Sequence, residues 1–329
     1  MCNGTYVNAN SSDIDAFLRS RGAKAFVPLS RYTTWRVGGP ARWFWDPKPE
    51  HVGDVLRSCH DVGLPVFFLG RGSNVLVADE GLPGLVICTR RSMMRCEHLS
   101  DRIVAEAGVP LPSLAKFAGA LGFSGYEFLI GIPGTVGGGL FMNAGLTASG
   151  VREIGSLVES IDIITLDGTP ATISAADAKF GYRTSIFQSR RHLVLRATFR
   201  LDEKGDPSTI RSTIARHLVE RRRKQPLIPP TAGSTFKQPP NGQPAGWYIE
   251  RAGLKGFQVG GALVSKIHAN WIENTGNASA NDIRQLISHI QDVVYRVHGV
   301  ILEREVRYLP EDDLESPGGT GISTTIETT

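Results

Sequence analysis

A soluble protein of mixed α and β structure, divided into two or three domains, is what the sequence predicts. Three observations carry this. The chain has 329 residues, beyond the ~250 at which a single core usually stops growing. Short apolar runs bounded by turn residues fill 64–108, as strands do. Segments of helical periodicity follow at 112–121, 208–224 and 279–298.

Residues 12–21 predict a short helix with Ser12 as N-cap and Asp15 three positions on. From Trp35 to Thr89 strands and turns are expected: LPVFFL (64–69), the tight turn GRGSN (70–74), VLVAD (75–79) and GLVICT (84–89). RIVAEAG (102–108) is a further strand, and Pro112 opens a helix over 112–121, where its missing N–H costs nothing. SIDIITLDGTPATIS (160–174) reads as a hairpin turning on Asp167-Gly168. HLVLRATFRL (192–201) alternates like a half-buried strand. A composition shift at Lys204-Gly205-Asp206-Pro207 marks a boundary; the helix after it stops at Pro226, and Pro229-Pro230 force an extended link. Over 279–298, Ile283, Leu286, Ile287, Ile290, Val294 and Val297 share one face. VILEREVRYL (300–309) is read as a last strand with Glu303, Glu305 and Arg307 on one side.

Glycine is the compositional outlier, 37 residues, or about 11% against a usual ~7%. The net charge of +4 hides an asymmetry: residues 310–329 hold five carboxylates and no Lys or Arg, so the body before them carries 36 cations against 27 carboxylates. That tail is expected to be disordered. No apolar run approaches the 18 residues a membrane helix needs, and the N-terminus lacks the apolar stretch of a secretory signal. Cys2, Cys59, Cys88 and Cys96 have no CxxC spacing, and the eight histidines form no HExxH or HxH pattern. A cytoplasmic, metal-free protein with structural thiols and no membrane association is expected. The run Arg221-Arg222-Arg223-Lys224 suits a helix C-terminus, where cations complement the dipole, better than a nucleic-acid site.

GRGSN lies between two strands and presents successive backbone N–H groups with no Cβ in the way, a nest for phosphate oxygens. GIPGTVGGG (131–139) is a second such element, five glycines in nine residues. Together they point to a pyrophosphate. No GxGxxG opens a helix and no GxxxxGK[ST] occurs, so the expected dinucleotide site has some other architecture.

TTWRVGGPA (33–41), LGRGSNVLV (69–77), GIPGTVGGGLFMNAG (131–145), FGYRTSIF (180–187), AGSTFKQP (232–239), AGLKG (252–256), HANWIEN (268–274) and LEREVR (302–307) occur in one order. In that order they resemble the UDP-N-acetylenolpyruvoylglucosamine reductase family over residues 30–309. The resemblance implies an α+β fold: a two-part FAD-binding unit of the vanillyl-alcohol-oxidase (PCMH) type, then a smaller α/β substrate-binding domain. On that plan residues 1–90 and 91–204 form the two FAD-binding subdomains, 205–309 the substrate domain and 310–329 the tail. It implies a monomer acting on small molecules: non-covalent FAD takes hydride from NADPH and passes it to the enolpyruvyl ether of a UDP-sugar, giving UDP-N-acetylmuramate for peptidoglycan.

The resemblance also implies roles residue by residue. Arg183 in GYRTSIF would steady the enolate left by hydride delivery. Ser234 in AGSTF would give the proton. Glu305 in LEREVR would work beside the arginine; pattern alone cannot choose between Glu305 and Glu303, and the EVR match selects Glu305. Gly70, Arg71, Gly72, Ser73 and Asn74, with Gly131, Pro133, Gly134, Thr135, Gly138 and Asn143, would hold FAD, and Arg221 a phosphate. Tyr182, Lys237, Gln238 and Asn270 would hold the UDP-sugar. Two departures stand out, Gln238 where the family usually has Asn and Trp271 where it has Phe. No Tyr lies between Tyr182 and Tyr248, which implies the subclass lacking a tyrosine-bearing loop over the substrate. The alternative on the same fold is an FAD-dependent oxidase of a sugar or hydroxy acid, which would not need Arg183, Ser234 and Glu305 together.

Overall fold

The computed structural model describes residues 11–146, 152–226, 228–240 and 242–314. Cys2 and residues 315–329 of the expected tail lie outside them. Three sheets organise the chain.

The first has strand order Lys24–Pro28, Pro40–Trp45, Leu82–Cys88, Val66–Leu69, with Leu82–Cys88 parallel to both neighbours. A parallel strand covered on both faces needs apolar residues at every position. Accordingly Leu85 and Ile87 enter one core, while Val86 and Cys88 enter another. The helix Val52–Asp61 covers the first of these faces with Val52, Val55, Leu56 and Cys59. The expectation of strands and turns throughout Trp35–Thr89 is thereby corrected: an i, i+3, i+4, i+7 apolar set makes this stretch helical.

The second sheet is antiparallel, ordered Pro170–Ser174, Val158–Ile164, Leu193–Arg200, Arg102–Glu106, Cys96–Leu99. Its hairpin turns at Gly168 (φ 81°), next to the pair Ile164 and Pro170. Between the sheets lies the largest core, which also takes the helix Leu111–Ala120. Helix Pro207–Lys224, N-capped by the Asp206 carboxylate on the Thr209 N–H, packs Ile214 and Leu218 onto this core.

The third sheet runs Thr231–Ser234, Trp271–Asn274, Ala262–Val264, Gln258–Val259, all antiparallel. Helix Ala280–His298 packs on it through Ile283, Leu286, Ile287, Ile290 and Val294; Val297, expected on the same face, is exposed. Ser279 and Asp282 form a capping box at the start of this helix. Trp35, Val37 and Leu76, from the N-terminal third of the chain, fill the same core. The Trp35 indole donates to the Ile272 carbonyl at 2.7 Å, and Asn274 Nδ2 donates to the Trp35 carbonyl at 2.8 Å.

The C-terminal segment departs from the expected continuous strand. Only Arg307–Leu309 is a strand, and it pairs in parallel with Val75–Val77. Residues 303–305 instead lie along 235–237: Lys237 N–H donates to the Glu303 carbonyl and Glu305 N–H to the Thr235 carbonyl. Leu302 and Val306 bury in the third core and Leu309 beside the first sheet, so the chain must bend between them. The tail is also ordered further than expected. Glu311–Leu314 forms a helical turn held by pairs of Asp312 with Arg304 and of Asp313 with Arg307 and Arg191.

Candidate active site

One cleft gathers residues from all three sheets. Gly70, Arg71, Gly72, Ser73 and Asn74 line it, as do Gly131, Pro133, Gly134, Thr135 and Gly138, and so do Arg183, Ser234 and Glu305. These are the candidates for catalysis and all but two of those for the cofactor.

The two glycine turns are in direct contact. A Cβ on Gly70 would stand 2.4 Å from Thr135 Oγ1, and one on Gly72, where φ is 62°, would stand 2.2 Å from the Tyr32 carbonyl oxygen. Only glycine permits this approach. The N–H groups of Arg71, Gly72, Ser73, Gly134 and Thr135 donate to no group among the described residues. Several free donors on two abutting turns fit the adjacent anionic oxygens of a pyrophosphate, and so the residues present fit FAD. Asn74 behaves differently: its side-chain amide donates to the Glu305 carbonyl at 3.0 Å, and its own carbonyl accepts from Arg307 N–H at 3.0 Å.

Arg183 stands at φ 54° in the left-handed region, which costs a non-glycine residue about 1–2 kcal/mol. Its Nε donates to Glu305 Oε1 at 3.0 Å and its Nη2 to the Gly145 carbonyl at 2.9 Å. A third group, Glu153, lies with Oε1 3.8 Å from Nη1. Burial raises the Glu305 carboxyl against the opposing pull of the Arg183 guanidinium and then of Lys237. Burial likewise raises Glu153, opposed by Arg183 and by the Asn143 amide. Glu303, the other acid of the LEREVR motif, is exposed and pairs with Lys237 at 3.1 Å. Burial separates the two acids where sequence pattern could not.

Ser234 ends the strand Thr231–Ser234, directly opposite Trp271. Its hydroxyl has no hydrogen-bond partner among the described residues. Trp271 is buried and lines the cleft, so this departure from the family pattern stands next to the serine.

The remaining candidates do not line the cleft. Asn143 is turned inward: Nδ2 donates to Glu153 Oε2 at 2.6 Å and to the Gly181 carbonyl at 2.9 Å, and Oδ1 accepts from Gly155 N–H at 2.9 Å. Arg221 has a partly buried side chain whose Nε lacks a partner among the described residues, while Gln225, one helical turn on, reaches the cleft wall. Asn270 exchanges hydrogen bonds with both backbone groups of Phe236. Tyr182 accepts from the Gln238 N–H at 3.2 Å, and Lys237 lines a second, adjoining pocket with Arg304, Arg307 and Asp312. Sequence reasoning did not single out Glu153, Gly145, Arg191, His192 or Asp313. All of these but Glu153 line the cleft, and burial pushes the His192 imidazole down, followed by Arg190.

Residues 225–309 match the family described as UDP-N-acetylenolpyruvoylglucosamine reductase, C-terminal domain, and residues 47–174 match the FAD binding domain family. The UDP-N-acetylenolpyruvoylglucosamine reductase of Synechococcus sp. strain WH7803 is 46% identical over 290 residues, spanning 86% of this chain and 92% of that protein. The enzyme of the same name from Trichormus variabilis is 42% identical, spanning 88% and 86%. Among solved structures, UDP-N-acetylenolpyruvylglucosamine reductase from Thermus caldophilus superposes with a TM-score of 0.72 at 33% identity, over 88% of this chain and 98% of that one. No helix among the described residues is long and apolar enough to cross a membrane. With its two glycine turns, its paired arginine and glutamate and its relatives of near-equal length, the chain belongs to the UDP-N-acetylenolpyruvoylglucosamine reductase family.

Proposed function

We propose that this protein reduces UDP-N-acetylenolpyruvoylglucosamine to UDP-N-acetylmuramate in peptidoglycan synthesis, with NADPH as hydride donor and non-covalent FAD as carrier. The observation that carries the reading is the pairing of Arg183 with Glu305 in a cleft that also contains Ser234 and both glycine turns. FAD, when bound, supplies the hydride relay between the two substrates.

The chain's own residues do the rest. The free N–H groups of 71–73 and 134–135 hold the cofactor's phosphates, with Gly70, Gly131, Pro133 and Gly138 shaping the same wall. Arg183, fixed by Glu305 and the Gly145 carbonyl, faces the negative charge that forms on the enol ether's carboxylate end. Ser234 Oγ gives its proton to the carbon beside that carboxylate, and its lack of a competing partner leaves it free to do so. Trp271, paired opposite the serine, is part of the same cleft wall. Tyr182, Lys237 and Gln238, outside the cleft, hold the UDP end, Asn270 fixes the Phe236 backbone beside them, and Arg221 serves a phosphate. A division into 1–90, 91–204 and 205–309 is supported by one of the three sheets falling within each range, with Arg307–Leu309 crossing back to pair with Val75–Val77. The protein is a cytoplasmic monomer of the subclass without the tyrosine loop, and it has no nucleic-acid partner.

The test is spectroscopic. Purified protein should carry a flavin absorbance band that NADPH bleaches and the enolpyruvyl nucleotide restores. Ser234→Ala should still bleach but recover at least a hundredfold more slowly, a loss in the usual range for acid–base groups (~10²–10⁴). Rapid peroxide formation with simple sugars or hydroxy acids, with no turnover of the nucleotide, would sink the proposal.

A further inference from the structure

The Arg183 guanidinium lies between two enclosed carboxylates. Glu305 takes its Nε, and Glu153 stands against Nη1 at 3.8 Å. The side chains are 12%, 17% and 19% exposed for Arg183, Glu305 and Glu153. The facing atoms, Arg183 Nη1 and Glu153 Oε1, are both buried without a hydrogen-bond partner among the described residues. Glu153 is nonetheless locked from behind: Asn143, at φ 42°, donates to its Oε2 while gripping Gly155 N–H and the Gly181 carbonyl two residues before Arg183. A carboxylate so well held, yet stopped short of the donor in front of it, leaves that donor uncommitted.

We propose that Glu153 is a positioning residue for Arg183, one that takes up a proton from solvent when the anionic enolpyruvyl substrate enters, so that the charge of Arg183 is shared by the ligand and Glu305 alone. The inference rests on the function proposed above. One guanidinium facing two ionised carboxylates already carries a deficit of positive charge, and a ligand carboxylate makes a third acid for the same cation. In an enclosed site that excess is relieved by protonating one acid. Glu305 is the poorer acceptor because it is directly hydrogen-bonded to Arg183, which favours its charged form. Glu153 lacks that bond. The charged groups facing it are Arg183 and, beyond the guanidinium, Glu305, which Lys237 also influences. Asn143, Gly145 and Gly155 offer only amide and backbone dipoles.

Calorimetric titration of the FAD-loaded protein with the enolpyruvyl nucleotide, in buffers of differing ionisation enthalpy, counts the protons. The wild type is expected to take up roughly half to one proton per site near neutral pH, with affinity weakening by up to about tenfold per pH unit above the carboxyl's range. Glu153→Gln should bind with no uptake and a flat pH profile, with an unchanged flavin spectrum showing that the cofactor site is intact. Glu153→Asp should restore the uptake with its pH dependence moved down, as suits the more acidic carboxyl, and Glu305→Gln, which leaves one acid fewer on the same cation, should weaken it. Wild-type binding without proton uptake overturns the proposal and leaves the proposed function standing. Uptake that survives Glu153→Gln, or that keeps the wild-type pH dependence in Glu153→Asp, overturns it too, and the Glu153→Asp comparison decides the matter even if Glu153→Gln does not fold. Absence of any nucleotide binding in the wild type overturns both readings.

Discussion

Ending the chain after Leu309 should destabilise it, although the five acids beyond that point look like a dispensable tail. The cut removes Asp312, which accepts from Arg304 at 3.1 and 3.3 Å and from the Tyr308 N–H at 2.7 Å. It also removes Asp313, which pairs with Arg307 at 3.2 Å and with Arg191 at 3.7 Å. Arg191 is only 7% exposed and Arg307 20%, so both cations would be left enclosed and unneutralised. Stripping one partner from a buried pair costs about 3–5 kcal/mol. The lower end applies here, because Arg191 keeps its bond to the Val66 carbonyl and Arg304 is partly solvated. At ~1–2 °C per kcal/mol for a chain of 329 residues, about 3 kcal/mol is a fall of roughly 3–6 °C in melting temperature. Thermal melts followed by flavin fluorescence would measure it, against a chain ended after Leu314, which should melt like the full-length protein. Equal melting of the Leu309-ended and full-length chains would refute the reasoning. A fall shared equally by the Leu314-ended chain would refute it as well, since the clamp would then be intact.

Gly70→Ala, which places a Cβ 2.4 Å from Thr135 Oγ1, should force the glycine turns apart and weaken FAD binding roughly 5- to 150-fold, given ~1–3 kcal/mol for overpacking; equilibrium dialysis checks this. Asp79→Ala removes a carboxylate that accepts from the Ala280 and Asn281 N–H groups at 2.8 and 3.0 Å, capping helix Ala280–His298 from the other side of the molecule. The expected loss is about 1 kcal/mol in urea melts, and a change within error would mean that Ser279 caps the helix unaided. Glu305 is raised by burial, so the folded state keeps a proton that the unfolded chain has released. Stability should therefore fall as pH rises from 4.5 through the folded-state value. Glu305→Gln should flatten that stretch of the curve, leaving the share due to Glu153; an identical slope in the variant would argue against a raised Glu305.

How much of this was legible in the sequence depended on whether the signal was local. The hairpin on Asp167-Gly168, the helix under Asp206 and the capped helix at 280 are written in turn residues, caps and one-sided apolar spacing, and they formed within a residue or two of expectation. Helix Val52–Asp61 carried its signal in four spaced apolar residues but sat among strand-like runs that drew the reading away. The last strand misled for a different reason. Alternation over 300–309 is real, but its apolar residues serve two cores rather than one face, so pairing is split between 235–237 and Val75–Val77. Of the site, the glycine turns were readable because they need particular backbone freedom. Glu153 was not, since a buried carboxylate in a polar stretch looks like any surface acid until Asn143 and Arg183 are folded around it.

The split of the last strand has a functional consequence. Because Arg307–Leu309 lies alongside Val75–Val77, the turn that precedes Val75 and the acid that precedes Arg307 are adjacent, and Asn74 joins them through its amide on the Glu305 carbonyl. The glycine turn proposed to hold the cofactor's phosphates and the acid that fixes Arg183 are thus tied together, although 231 residues separate them. Asn74→Ala deletes a single partly buried hydrogen bond, worth about 1 kcal/mol of stability, and frees no group facing the cofactor's phosphates. If Asn74 mainly grips FAD, the variant should lose cofactor affinity first. If it mainly fixes Glu305, FAD should stay bound and NADPH should still reduce it. Turnover would then fall by up to the ~10²-fold that a 1 Å misplacement costs. The geometry favours the second outcome, and a variant that sheds FAD while keeping normal turnover at saturating cofactor would show that the amide serves the cofactor after all.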